Sequence, residues 1–318
     1  MNKSVAIIVG GTGQFGVILS KKLVKKNYKV IITTRSLAKA KLIFKTNKSL
    51  LLKKLDVLKK DKIKSLLLEF DPKIIFYFAG ESSPKKSFIK KKQTYLSNFV
   101  GCKNFLEVIF KNKIKSKFLN ATSCEIYANT KKKINLDTKK NPISPYGISK
   151  LKSYNITRKY RSEYNLSSYN AVIFNTESTL RKKYYLIPKI CLAAIKAKKF
   201  GKKTKFGNLE IAREWNWCDE QCEYLLKFLE KKPQDFILSN GKLFTATQMI
   251  KFAFNYFKIN YENYTTIDRK FFRKCDFNLR KSNFKKCLAR NNIKGKHLIY
   301  GKKIIYKLIK HYLNENKL

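Results

Sequence analysis

Tyr146 and Lys150 are the residues whose types and spacing first suggest chemistry. They lie four apart in the stretch SPYGISKL, directly after a proline. On a helix, residues i and i+4 share a face, so the phenol and the ammonium can point to the same place. A nearby positive charge stabilises the ionised phenol, so Tyr146 could exchange a proton near neutral pH. Because tyrosine and lysine are abundant here, the spacing alone also fits chance, and the surrounding sequence has to decide.

A glycine-rich loop follows the first predicted strand. The apolar stretch SVAIIV runs directly into GGTGQFG, where three glycines lie three apart before a helical pattern. Glycines at these positions let the backbone approach a pyrophosphate, which sits at the positive end of the following helix. The loop predicts a dinucleotide site, formed by Gly10, Gly11, Thr12, Gly13, Gln14, Phe15 and Gly16.

The residues after the second predicted strand bear on which dinucleotide binds. The strand KVIITT is followed by Arg35 and Ser36 rather than by an acidic residue. An acidic residue at this place binds the ribose 2′-hydroxyl, whereas an arginine accommodates a 2′-phosphate. Arg35 therefore favours NADP over NAD, although a solvated arginine at a helix start would look the same.

The elements that must position these residues alternate between strand and helix. Six stretches are typical of buried strands, namely SVAIIV, KVIITT, LLLKKLDV, KIIFYFAG, KFLNATS and SYNAVIF. Segments with helical spacing separate them, which predicts a parallel sheet with helices on both faces. We expect an α/β fold with a Rossmann-like doubly wound sheet in residues 1–175. Residues 176–318 are expected to form a smaller mixed α/β substrate-binding part, with some segments returning to the first domain.

The fourth and fifth predicted strands end in polar and small residues. They read FYFAGESS and NATSCEIY, and active sites of such sheets form at the carboxyl ends of the strands, near the switch point. Ser123 and Glu125 are therefore expected near the nicotinamide, with the helix of Tyr146 and Lys150 following in sequence. A glutamate after a strand can also be an ordinary solvated residue.

The composition excludes several classes of protein. Seven cysteines form no C-x-x-C pair and only two histidines exist, so we expect no metal site and buried, reduced cysteines. No run of about 18 uncharged apolar residues and no cleavable signal is present, so we expect no membrane partner and a cytoplasmic protein.

The formal net charge of +50 would suit a polyanion such as nucleic acid. However, the basic residues are spread over nearly the whole length, and only nine of the 71 are arginine, which usually leads in base and phosphate recognition. We expect no nucleic-acid partner. A compositional bias toward lysine and an anionic small substrate both fit the charge and stay open.

Five stretches in order make the chain similar to one branch of the extended short-chain dehydrogenase/reductases. It most resembles the GDP-mannose 4,6-dehydratase family, from about residue 5 to beyond residue 280. The family's Gly-Ile-Thr-Gly-Gln-Asp-Gly is matched by residues 10–16, with Phe15 in place of aspartate. Its Ala-Ser-Thr-Ser-Glu-Leu-Tyr, Ser-Pro-Tyr-Ala-Val-Ala-Lys, Phe-Asn-His-Glu-Ser-Pro-Arg-Arg and Gly-Asn-Leu-Asp-Ala-Lys-Arg-Asp-Trp are matched by residues 121–127, 144–150, 174–181 and 207–215.

The resemblance implies a nucleotide-sugar dehydration that uses a tightly bound NADP, regenerated in each turnover. Tyr146, activated by Lys150, would take the proton of the sugar 4-hydroxyl, and Ser123 would hydrogen-bond the 4-oxygen. Glu125 would then remove the C5 proton as a general base. Water leaves from C6 and the hydride returns there. The product would be GDP-4-keto-6-deoxymannose if the substrate is GDP-mannose.

The resemblance also implies binding residues and partners. Further cofactor contacts would come from Asp56, Val57, Phe78, Ala79, Gly80, Ser82, Tyr146, Lys150 and Arg181. The nucleotide sugar would be held by Ser82, Asn175, Lys189, Asn208, Arg213 and Arg273. A homodimer or homotetramer is expected by analogy alone.

Several positions depart from the family pattern and leave the sugar nucleotide open. The family's Gln-Ser-His after the fourth strand is Glu81-Ser82-Ser83, and the other changes are Gln93, Thr176, Ile187, Pro188 and Lys274. A dehydratase for another sugar nucleotide, a related epimerase or a 4-ketoreductase would fit these changes. A non-catalytic basic binding protein is a further alternative, which predicts steeply salt-dependent nucleic-acid binding and no turnover.

Overall fold

The computed structural model describes residues 3–44, 49–272, 279–295 and 299–315. Up to residue 173 the described chain alternates strands and helices. The strands are β1 (Val5–Val9), β2 (Lys29–Thr34), β3 (Leu50–Lys54), β4 (Ile74–Tyr77), β5 (Lys117–Ser123) and β6 (Ser168–Ile173). The helices are α1 (Gln14–Lys25), α2 (Leu37–Ile43), α3 (Lys60–Phe70), α4 (Pro84–Ile89), α5 (Lys91–Tyr95), α6 (Gly101–Lys111) and α7 (Pro145–Tyr164).

The rest of the described chain has shorter strands. They are β7 (Thr176–Glu177), β8 (Thr204–Phe206), β9 (Ala212–Arg213), β10 (Asn216–Trp217), β11 (Asp235–Leu238), β12 (Phe244–Thr245), β13 (Thr265–Ile267) and β14 (Leu279–Arg280). The helices are α8 (Leu186–Phe200), α9 (Cys218–Leu229), α10 (Ala246–Asn255), α11 (Phe284–Arg290) and α12 (Lys302–Glu315). A π-helical turn, Leu96–Val100, joins α5 to α6, and a 3₁₀ turn, Cys124–Ile126, follows β5.

Seven strands form one parallel sheet in the order β11-β6-β5-β4-β1-β2-β3. The predicted Rossmann-like α/β fold is therefore confirmed, and all six predicted strands are present. The strand order reverses between β1 and β4, and in such sheets this switch point marks the crevice where ligands bind.

The seventh strand, β11, is an addition to the predicted six. Its four residues are too few for a periodic pattern, and side-chain contacts hold it at the edge of the sheet. The Asp235 carboxylate accepts hydrogen bonds from Tyr154 Oη at 2.7 Å, from Arg161 Nη2 at 2.7 Å and from Asn170 Nδ2 at 3.0 Å. Tertiary contacts with α7 and β6 thus select the strand.

The chain forms two compact units. The first lies within residues 1–128, 136–173 and 222–238, and the second within 129–135, 174–221 and 239–318. Each has its own apolar core: Ile7, Ile31 and Phe118 are fully buried in the first, and Ile250 and Ile305 in the second.

Two compositional expectations bear on the structure. The six described cysteines are all free and buried, which confirms that prediction for them, while Cys275 lies outside the described residues. Among the described helices, none is both long and apolar enough to cross a membrane.

Candidate active site

The loop between β1 and α1 needs glycine where the backbone passes close to its neighbours. Gly10 has φ +74°, and a Cβ there would lie 2.6 Å from Ala79 Cα. A Cβ at Gly16 would lie 2.2 Å from the carbonyl oxygen of Gly11. Any side chain at either position would therefore push the loop away from β4 or distort the start of α1.

Gly13 differs because it has room around it. It is the N-cap residue of α1, no side chain caps the helix there, and its first turn holds no acidic residue. A Cβ at Gly13 would meet nothing within 4 Å. The open space and the free N–H groups at a helix N-terminus fit the pyrophosphate of a dinucleotide.

Phe15, which stands where the resembling family has aspartate, has a packing role. Its ring stacks on Phe78 with 5.5 Å between centroids and 21° between planes. Phe78 follows β4, and its N–H donates to Val9 O at 2.9 Å. The stacked pair therefore connects the two loops on either side of the switch point. Thr12 and Gln14, in the same loop, are half-buried.

The residues predicted for the adenosine end follow β2 and β3. Arg35 is exposed directly after β2, whereas Ser36 caps α2 by accepting a hydrogen bond from Lys39 N at 3.3 Å. Asp56 is exposed after β3, and its Oδ1 accepts from Leu58 N at 3.0 Å. The next residue, Val57, is half-buried. Arg35 is therefore an exposed basic side chain at this edge, directly after β2.

Ser123 and Glu125 lie together at the carboxyl end of β5. Ser123 is 7% exposed, and its Oγ accepts a hydrogen bond from Glu125 N at 3.3 Å. Glu125 is half-buried on the 3₁₀ turn. A Cβ at Gly147 would lie 2.6 Å from the carbonyl oxygen of Glu125, so glycine there lets α7 approach this turn closely.

Tyr146 and Lys150 lie on the first turns of α7, as the spacing predicts. Ser144 caps this helix by accepting from Gly147 N at 3.0 Å. Tyr146 and Lys150 are both buried, and Lys150 Nζ lies 5.9 Å from the centroid of the Tyr146 ring. Lys150 Nζ donates to Ala121 O at 2.7 Å. This bond brings the lysine to the strand that carries Ser123.

Burial alters the chemistry of the lysine. Loss of water around the ammonium lowers the pKa of Lys150 to about 8, and the Cys102 thiol opposes this only in part. An amine with this pKa is still mostly protonated at neutral pH. It can therefore place a positive charge beside the phenol, and it can gain or lose a proton close to that pH.

The sequence analysis missed Asn98, which is buried on the π-helical turn. Its Nδ2 donates to Ser149 Oγ at 3.0 Å and to the carbonyl oxygen of Glu81 at 3.2 Å. Its Oδ1 is a buried acceptor without a hydrogen-bond partner. A Cβ at Gly80, which has φ +129°, would lie 1.7 Å from that oxygen. No sequence pattern distinguishes Asn98, although π-helical turns often mark functional sites.

Predicted nucleotide-sugar residues of the second unit lie at strand ends and turns. The Asn175 carbonyl accepts from Asn216 N at 2.8 Å, and Asn208 Oδ1 accepts from Glu210 N at 2.8 Å. Arg213 is buried on β9. Ser82, which is also predicted to contact the nucleotide sugar, lies in the first unit, and its N–H donates to Glu81 Oε1 at 2.8 Å. Arg273 lies outside the described residues.

Two other predicted binding residues of the second unit, Lys189 and Arg181, have positively charged side chains that lie over aromatic rings. Lys189 Nζ lies 4.3 Å from the Phe271 ring centroid and donates to a backbone carbonyl, Lys205 O, at 2.5 Å. The guanidinium carbon of Arg181 lies 3.6 Å from the Tyr185 ring centroid. Arg181 Nε is 3.7 Å from the buried Glu177 carboxylate. Burial raises the pKa of Glu177 to about 7, and Arg181 opposes that rise.

The positions that depart from the resembling family have structural explanations. Ile187 is fully buried in the core of the second unit, and Pro188 is buried beside it near the start of α8, so this place favours apolar residues. Thr176 Oγ1 donates to Phe174 O at 2.9 Å, and Gln93 is exposed on α5. Within the described ranges, no cluster of three metal-ligating side chains is found.

Comparison with protein families and curated proteins identifies consistent relatives. The family described as GDP-mannose 4,6 dehydratase matches residues 7–293. The chain is 28% identical over 288 residues to "GDP-mannose 4,6 dehydratase 2" of Arabidopsis thaliana, covering 85% of this chain and 77% of that protein. It is 26% identical over 268 residues to "GDP-mannose 4,6-dehydratase" of Vibrio cholerae, covering 79% and 71%.

Solved structures share the fold at lower identity. The dTDP-glucose 4,6-dehydratase of Bacillus anthracis, solved with NAD, has a TM-score of 0.83 at 17% identity and covers 99% of this chain and 98% of its own. The UDP-N-acetylglucosamine 4-epimerase of Methanobrevibacter ruminantium has a TM-score of 0.85 at 16% identity, with 99% and 100% covered. At these identities the likeness establishes the fold alone.

Proposed function

Because this chain belongs to the GDP-mannose 4,6-dehydratase family, we propose that it converts GDP-mannose to GDP-4-keto-6-deoxymannose and water, with NADP. One observation carries the proposal. Ser123 and Glu125 at the end of β5 adjoin the start of α7, which presents Tyr146 and Lys150. A simple reductase or epimerase needs the tyrosine and lysine but has no use for a carboxylate base at this place.

Tyr146 is the base that removes the proton of the sugar 4-hydroxyl. Lys150 supports this step because its ammonium, held against Ala121 O, stabilises the phenolate. The Ser123 hydroxyl donates a hydrogen bond to the 4-oxygen. The chemistry that NADP supplies when bound is to take up a hydride from C4 at the start of the reaction and to give it back at C6 at the end.

Glu125 removes the C5 proton, which the 4-keto group has made acidic. The C6 hydroxyl then leaves as water with a proton from one of the two protonated groups, Glu125 or Tyr146, and the other group gives its proton to C5 when the hydride is returned to C6. Half-burial of Glu125 suits this role, since the carboxylate can reach a bound sugar while most of the bulk water is displaced.

The proposed preference for NADP rests on Arg35. The nucleotide end of the substrate is assigned to residues of the second unit. Arg35 is exposed after β2, where a guanidinium can bind a 2′-phosphate. The described residues that we assign to the nucleotide sugar are Ser82, Asn175, Lys189, Asn208 and Arg213. The positive side chains suit its diphosphate.

The proposal includes a homodimer or a homotetramer. Phe110 on α6 and Tyr164 on α7 are exposed, and their rings lie 4.6 Å apart at the surface of the first unit. Two such rings form only a small apolar patch, so the expected oligomer rests on analogy with related proteins. Light scattering of the purified protein measures the assembly directly.

The test is incubation of the purified protein with GDP-mannose and catalytic NADP, followed by mass spectrometry of the nucleotide sugar. We expect loss of one water, and Glu125→Gln should lower that rate by about 10²- to 10⁴-fold. Glu163→Gln, an exposed change on α7, is the matched control and should leave the rate unchanged. Absence of dehydration by the wild-type protein, with NADP bound, would refute the substrate assignment.

A further inference from the structure

Glu81 is a carboxylate beside the crevice where we propose that the cofactor binds. It lies in the loop between β4 and α4, and β4 borders the switch point with β1. Its Oε1 accepts hydrogen bonds from the backbone N–H groups of Ser82 at 2.8 Å and Ser83 at 2.9 Å. The loop backbone therefore holds this half-buried carboxylate in one place.

Hydrogen bonds tie this loop to the turn of α7 that presents Tyr146. Asn98 Nδ2 bridges the Glu81 carbonyl oxygen and Ser149 Oγ, and Ser149 Oγ donates to Tyr146 O at 2.7 Å. On α4, Ser87 Oγ accepts from Tyr146 N at 3.1 Å. The loop that carries Glu81 therefore connects β4, at the switch point, with the turn of α7 that presents the proposed acid–base tyrosine.

The two backbone N–H groups that donate to Glu81 offset its charge only in part, because they are dipoles and not cations. Although the chain has 71 basic residues, no lysine or arginine forms an ion pair with Glu81 within the described residues. The resembling family has glutamine at this place, and a glutamine Oε1 could accept the same two backbone bonds. The glutamate therefore keeps the shape of the loop while it adds a negative charge.

We propose that Glu81 biases the bound nicotinamide toward its oxidised form. The oxidised ring carries a positive charge that the reduced ring lacks, so a nearby carboxylate stabilises the oxidised state. For a separation of about 8 Å and an effective dielectric constant of about 40, between those of a protein surface and water, Coulomb's law gives a preference of about fivefold. The inference rests on the cofactor in the proposed function and is independent of which sugar nucleotide is the substrate.

Binding measurements on the full chain test this inference without turnover. Isothermal titration calorimetry of NADP⁺ and of NADPH would be run on the wild type, Glu81→Gln, Glu81→Lys and Glu163→Gln. We expect the ratio of the NADPH dissociation constant to the NADP⁺ dissociation constant to fall about fivefold in Glu81→Gln. It should fall further in Glu81→Lys and stay unchanged in Glu163→Gln, whose exposed carboxylate pairs with Lys159.

The outcomes separate this inference from the proposed function. An equal ratio in wild type, Glu81→Gln and Glu81→Lys would overturn the role of Glu81 and leave the cofactor assignment intact. Failure of the wild type to bind either form would overturn the cofactor assignment and this inference with it. A neutral variant and a positively charged variant keep the test valid if one of them folds poorly.

Discussion

Lys150 carries a buried positive charge, and its replacement by methionine should show by how much that charge lowers the free energy of unfolding. Its pKa falls from 10.5 to about 8 through burial, which corresponds to about 3 kcal/mol of folding free energy at pH 7. The variant also loses the hydrogen bond to Ala121 O, a loss of about 1 to 2 kcal/mol. Lys150→Met should therefore be more stable than the wild type at pH 7, by about 1 to 2 kcal/mol.

The pH dependence has a defined sign. Below pH 8 the lysine is protonated in both the folded and the unfolded protein, so the full cost is present. Between pH 8 and 10.5 the unfolded chain binds the proton more strongly, so raising the pH stabilises the folded wild type. The stability difference should consequently move by up to about 3 kcal/mol in favour of the wild type over this range, so that the advantage of Lys150→Met at pH 7 is reversed at pH 10.

Urea unfolding at pH 7, 8, 9 and 10 measures this difference. Lys152→Met is the matched control, because Lys152 is an exposed residue on the same helix and its removal should add no slope between pH 8 and 10. A constant stability difference between wild type and Lys150→Met across this range would refute the reasoning that Lys150 is buried as a charge.

Two further predictions concern the cofactor. Gly13→Ala should leave the thermal unfolding temperature nearly unchanged, because its Cβ meets nothing within 4 Å, but it should weaken dinucleotide binding at least tenfold by filling that space. Unaltered binding would show that the pyrophosphate lies elsewhere. Gly16→Ala, whose Cβ clashes with Gly11, is the comparison variant that should be destabilised. Arg35→Ala should weaken NADP binding about tenfold and leave NAD binding unchanged, measured by titration calorimetry. An equal loss for both dinucleotides would contradict a role for Arg35 at the 2′-phosphate.

Where the chemistry depends on local spacing, the sequence predicted it well. Strands such as β1, β2 and β4 were predicted from continuous apolar runs, which a strand buried on both faces needs. The stretch of β3 was predicted as a buried strand, but it ends in two lysines and is partly exposed. The helical position of Tyr146 and Lys150 followed from their i, i+4 spacing and from the Ser-Pro start of α7. Their use in catalysis stays a prediction, as do the roles of Ser123 and Glu125.

Other features depend on groups that are distant along the chain. Strand β11 is only four residues long, and it is held by Asp235 through contacts with residues 65 to 81 positions earlier. The role of Asn98 could not be predicted, because it depends on hydrogen bonds to Ser149 and Glu81 that only the tertiary fold brings into reach. Phe15 was an unexplained change until Phe78 was found stacked on it.

The sequence by itself determined the order of strands and helices, the glycine loop and the residue types that could do chemistry, because these depend on neighbours within a few positions. Only the tertiary structure decided which of those groups are buried and what they face. The pKa of Lys150 and the hydrogen bonds of Asn98 follow from exclusion of water and from partners at long sequence separation. Electrostatics acts through space, so no pattern read along the chain contains these two properties.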